Sequence, residues 1–97
     1  MPKLTITQPH SLPLDQVKTR LEALSNRLSE KYGITAKWVA PDRAQVSRTG
    51  VTGSISIGQN QVTVALDLNF MLTPLKDRVQ NRVQRELREA LAANPSS

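Results

Sequence analysis

The sequence contains no cysteine and a single histidine, His10. The first absence excludes a disulfide framework, a thiolate metal site and a thiol nucleophile together. The second leaves no HExxH spacing, and a lone imidazole without thiolates or clustered carboxylates does not hold zinc. Aromatic residues make up only 3% of the chain, so a core must be built from Leu, Val and Ile. No segment approaches the roughly 20 apolar residues needed to span a bilayer. The opening Met1-Pro2-Lys3-Leu4-Thr5 lacks the apolar run of a signal peptide. A soluble, cytoplasmic protein is the expectation. Gly50-Val51-Thr52-Gly53 and Gly58 lack both a following helix and the Lys-Ser/Thr of a P-loop, so they read as hairpin turns and not as a phosphate cradle.

What the chain does contain is patterning. Its 97 residues suit one domain, 1–97, with an ordered core over about 3–92 and a flexible tail at 94–97. Lys3 to Gln8 alternates Leu4 and Ile6 with Thr5 and Thr7, as a one-sided strand does. Ser11 is a candidate N-cap, with Asp15 in the first turn to suit the positive end of the helix dipole. Leu14, Val17, Leu21, Leu24 and Leu28 then recur at spacings of three and four, Tyr32 extends the stripe, and Gly33 stops it. Three short strands follow: Thr35–Ala40, Ala44–Thr49 and Thr52–Ile57. Pro41-Asp42 suits the centre of a type I turn, and Gly50-Val51 suits a two-residue hairpin.

Gly58-Gln59-Asn60 turns the chain into Val62–Leu68, and Thr73-Pro74 opens a last helix. That helix places Leu75, Val79, Val83, Leu87 and Leu91 four residues apart. The outward positions Thr5, Thr7, Ser47, Thr49, Ser54, Ser56, Thr63 and Asp67 are polar, which predicts one solvated sheet face. The fold expected is α+β: a two-layer βαββββα domain with an antiparallel sheet and both helices on one face.

Chemistry is harder to find. His10 sits at a strand-to-helix junction with no partner for proton transfer. Asp15, Glu22, Glu30, Glu86 and Glu89 fall on polar helix faces, where they serve as solvated partners of Lys and Arg. No catalytic residue, metal or cofactor is expected. Candidate ligand contacts are Trp38, Val64, Leu66, Val79 and Val83 on the apolar face, with Arg48 at its rim. Each also has a plain structural reading, as core packing for the apolar side chains and as a snorkelling strand-end cation for Arg48. Arg78, Arg82 and Arg85 form a candidate partner-binding strip on the last helix. The formal net charge of +5 raises a nucleic-acid reading. The surplus is interspersed with acids, and the predicted outer face offers hydroxyls in place of the aromatics that stack on bases.

Several features together resemble a known family: His10-Ser11-Leu12, the Val17–Leu28 stripe, Tyr32-Gly33, Trp38, and the hairpin Arg48-Thr49-Gly50-Val51-Thr52-Gly53-Ser54-Ile55. The Val62 strand and the closing Phe70-Met71-Leu72 to Leu87 segment complete the likeness. The chain is similar, from about Leu4 to Leu91, to the small bacterial polyhydroxyalkanoic acid system proteins, also labelled granule-region proteins. The Arg-x-Gly-Val-x-Gly hairpin at Arg48–Gly53 is its most specific part. The resemblance implies an accessory role in polyhydroxyalkanoate synthesis or storage, with the granule or its proteins as partners, and brings no catalytic residues. The strand order is also similar to a minimal helix-grip (START/Bet v 1-like) fold, in which a sheet wraps a C-terminal helix around an apolar ligand. Homodimerisation is a further expectation, since a sheet this small leaves edges open.

Overall fold

The computed structural model describes residues 3–69 and 74–92; Phe70 to Thr73 and the tail at 94–97 lie outside the described residues. Period-two alternation produces five strands: β1 (Lys3–Pro9), β2 (Thr35–Ala40), β3 (Arg43–Arg48), β4 (Val51–Ile57) and β5 (Gln61–Leu68). The two amphipathic stripes become α1 (Leu14–Tyr32) and α2 (Lys76–Ala90). All neighbouring strands are antiparallel, in the order β1-β5-β4-β3-β2. The last four strands form a meander, and the first strand returns to pair with the fifth.

Register explains why one face is dry. Trp38, Ala44, Ile55, Val64 and Ile6 are successive cross-strand partners and form one inward row. Lys37, Gln45, Ser54, Ala65 and Thr5 form the adjacent outward row, because side chains alternate between faces. Inward residues of β1, β3, β4 and β5 join Val17, Leu21 and Leu24 of α1 with Leu87 and Leu91 from the end of α2 in one buried cluster. Both helices therefore cover the same face. Thr5, Thr7, Ser47 and Thr52 are exposed on the other, with Ser54, Ser56, Thr63 and Asp67 half-exposed beside them. No polar side chain is buried among the described residues.

Four local expectations are corrected. Pro13, not Ser11, occupies the N-cap of α1, and no side-chain cap bond forms. The helix starts at Leu14, which places Ser11 too early in the chain to cap it, and the Val17 N–H bonds Pro13 O instead. Leu14, at the first turn, consequently points out of the core and is 49% exposed. The β3–β4 turn is Thr49-Gly50, since Arg48 pairs with Val51. Gly50 supplies the positive φ of 85° there, and Thr49 leaves the outward strand row. Leu75 precedes the regular turns of α2 as its N-cap and is 42% exposed.

Gly33 ends α1 as expected, its N–H bonding Ser29 O. Gly53 has a different role. A Cβ there would lie 2.3 Å from the Ala65 carbonyl oxygen, so glycine is what permits β4 to run this close to β5.

Candidate functional site

The apolar candidates divide between two places. Val64 and Leu66 are buried on β5, and Val79 and Val83 of α2 pack half-buried against the same core. Trp38 lies on β2, with Ala44 and Ile55 between it and Val64 in the register. Three strand spacings amount to roughly 14 Å. Trp38 is thus tied to the α1 side, where Lys18 Nζ sits 5.4 Å from its ring centroid. Arg48 is exposed at the end of β3.

Two concavities occur elsewhere, both open to solvent. One, of about 560 Å³, lies at an end of the sheet among Leu12, Leu14, Asp42 and Ile57. The other, of about 520 Å³, lies on the uncovered face around Gly53, Ser54 and Ala65. The first is bounded by the start of α1 at Leu14 and the end of β4 at Ile57, whereas no helical residue lines the second.

His10 has both ring nitrogens engaged. Nδ1 accepts from the Leu12 N–H at 3.2 Å, which leaves Nε2 to donate to Gly58 O at 2.9 Å. Its own N–H bonds Asn60 O. The side chain pins the β1–α1 connection to the β4–β5 turn. Among the described residues no group of three or more His, Asp or Glu side chains could hold a metal ion.

The densest polar arrangement is the seam between the helices, which run antiparallel. Arg20 Nη1 donates to Ala90 O at 3.2 Å and Ala92 O at 2.6 Å, taking up carbonyls that the end of α2 leaves free. Arg27 bonds Glu86 at 3.0 Å, and Arg82 Nε lies 3.5 Å from the other Glu86 oxygen. Arg82 also donates to the Tyr32 hydroxyl and sits over its ring, 5.7 Å from the centroid. Of the predicted basic strip, Arg82 therefore belongs to the seam, while Arg78 and Arg85 are exposed on the back of α2. Arg88, a further three residues on, is exposed on the side of α2 nearer Gln84, and the exposed Glu89 shares the back with Arg78 and Arg85. The sequence signal for Arg88 was available in that spacing; the signal for Arg20 and Arg27 was not, because their partners are remote in the chain. On the far side of α2, Gln84 Nε2 donates to Gln8 Oε1 at 3.0 Å and clasps the helix to β1.

Comparison with known proteins adds three findings. The family model described as "Putative polyhydroxyalkanoic acid system protein (PHA_gran_rgn)" matches residues 4–91, from β1 to the end of α2. No curated protein matches the chain. Among solved structures, the NMR structure of PA4090 from Pseudomonas aeruginosa is similar in fold, with a TM-score of 0.57 at 15% identity, covering 96% of this chain and 88% of that one. The crystal structure of TTHA0849 from Thermus thermophilus gives a TM-score of 0.42 at 17% identity, covering 99% of this chain and 100% of that one.

Proposed function

The chain belongs to the polyhydroxyalkanoic acid system protein family, and on that premise we propose that it is a non-enzymatic accessory protein acting by surface contact with the polymer granule or a protein bound there. The observation that carries the reading is the family match across every element from β1 to α2. The packing favours contact over enclosure of an apolar ligand. A helix-grip protein holds its ligand between sheet and terminal helix, whereas Leu4, Ile6, Leu87 and Leu91 fill that position here as part of one core. The surfaces left for a partner are the hydroxyl-bearing sheet face and the charged backs of the helices.

Fractionation of cells grown with and without granules tests this. The protein should move into the granule fraction when polymer accumulates. Equal recovery outside that fraction under both conditions defeats the reading.

The exposed Arg78, Arg85 and Arg88 favour one second reading, a basic nucleic-acid-binding or regulatory module. Threonine and serine on the open sheet face weigh against it, since single-strand binding draws on stacked aromatics. Titration with duplex and single-stranded DNA at two salt concentrations separates the two, because phosphate contacts produce a steep salt slope.

A further inference from the structure

The uncovered sheet face carries an ordered row of hydroxyls. Thr35, Ser47 and Thr52 are successive cross-strand partners on β2, β3 and β4, and all three are exposed. They line the concavity of about 520 Å³ on that face. Among the described residues none of these three hydroxyls has a hydrogen-bond partner. By contrast, Thr19 and Ser25 of α1 donate theirs to carbonyls one helical turn back. One row along, Lys37 and Gln45 line the same concavity and add N–H donors. Asp67, next across on β5, has a carboxylate that only accepts, and it ends the run. Neighbouring strands lie about 4.8 Å apart, so the row offers one hydroxyl at each such step. Sheet twist turns each outward direction by about 20–25° from the last without bending the row.

We propose that this row binds an extended poly(3-hydroxyalkanoate) chain lying across β2, β3 and β4, one ester carbonyl accepting from each hydroxyl. The inference rests on the granule-contact reading and deepens it, by assigning the polymer itself to the sheet face. Two features of the polymer match the row. Each 3-hydroxyacyl unit adds four backbone bonds, and an extended chain covers about 3.6 Å per three bonds, hence about 4.8 Å per unit. The even number of bonds also points every carbonyl of an extended chain to the same side. A polyester with three bonds per unit brings its carbonyls about 3.6 Å apart and on alternate sides, as a β-strand does, out of step with the row.

Hydrogen-bonding sense agrees with spacing. The polymer interior has acceptors and no donors, so it takes up free hydroxyls and N–H groups and gives nothing to Asp67. Rotation about the single bonds of the ester chain follows the sheet twist over three units. Each hydroxyl exchanges water for a carbonyl, so each bond strengthens binding only a few-fold. Affinity for one short oligomer is therefore low, and retention at a granule draws on the high local density of esters.

NMR titration of the full chain with methyl-ester-capped 3-hydroxybutyrate hexamers tests this. Amide shifts should change around Thr35, Ser47 and Thr52 and not in α1 or α2. The variant Thr35→Val/Ser47→Ala/Thr52→Val suits strand backbone and should weaken binding by about tenfold or more. Apolar adsorption predicts the opposite sign, since that variant is the greasier protein. Lactate hexamers, with three bonds per ester, should bind the wild type several-fold more weakly, a comparison that needs no variant. The proposal is overturned by a wild type that ignores the 3-hydroxybutyrate hexamer or shifts only in its helices. It is equally overturned by a triple variant that binds as well or better, or by equal affinity for the two esters. Any of these leaves the accessory role standing if the protein still moves into the granule fraction. Oligomer binding at the row without that movement would instead keep the site and defeat the role.

Discussion

Within α1, Val17, Leu21 and Leu24 are buried; within α2 only Leu87 is, while Val79, Val83 and Ala90 remain half-exposed. The second helix compensates with polar ties: Arg20 to its last carbonyls, Arg27 to Glu86, and Gln84 to Gln8. Dependence between the helices is consequently one-sided. α1 rests on the sheet through its own apolar stripe and closes itself with Gly33, whereas the C-terminal carbonyls of α2 rely on a side chain from α1. Two stripes that look alike in sequence are held by different forces. Burial fixes the first, and burial plus directional bonds fix the second.

The largest expected effect tests the burial side of this contrast. Leu21→Ala should cost about 3 kcal/mol, the usual range for emptying a fully buried leucine site. Val83→Ala should cost about 1 kcal/mol, because that side chain is only half removed from water and the vacated space can be hydrated. Urea denaturation of both variants measures the gap. Equal losses would show that the two helices are held by burial to the same degree, and the comparison would fail.

Next in size is the tie at the end of α2. Arg20→Met keeps much of the aliphatic stem and removes the guanidinium from Ala90 O and Ala92 O. Water can replace it at these partly exposed carbonyls, so the expected loss is about 1 kcal/mol. The informative readout is local. Amide exchange should accelerate in the last turn of α2 and remain unchanged in α1. Acceleration in both helices would mean that they open as one unit.

Much of the fold could be read from the sequence because it is encoded locally. Alternation in Leu4-Thr5-Ile6-Thr7 and in Val62–Leu68, stripes of period 3.6, and the stop at Gly33 each lie within a few residues. The failures at Ser11, Leu14, Thr49 and Leu75 are boundary errors, where a shift of one or two positions decides which side chain caps, turns or points outward. Long-range facts were not legible. Nothing local says that β1 pairs with β5, or that Arg27 finds Glu86 on the other helix. The candidate site was harder still. Val64, Leu66, Val79 and Val83 would show the same pattern whether they lined a chamber or filled a core; only volumes brought together by the whole chain distinguish the two.

The smallest effect concerns the seam itself. Glu86→Gln keeps the shape and removes the charge that faces Arg27 at 3.0 Å and Arg82 at 3.5 Å. With the Glu86 side chain 16% exposed and Arg27 and Arg82 51% and 46% exposed, screening limits the loss to about 0.5–1 kcal/mol. The substitution also raises a net charge that is already +5, which destabilises by general repulsion at low salt. Glu89→Gln supplies the control, since it changes net charge equally at an exposed position outside the ion-paired seam. The difference between the two variants isolates the Arg27–Glu86–Arg82 contact, and it should shrink as salt is raised. If Glu86→Gln and Glu89→Gln are equally stable at low salt, the seam contributes orientation but no measurable stability, and α2 is held by its half-buried stripe and its other two ties.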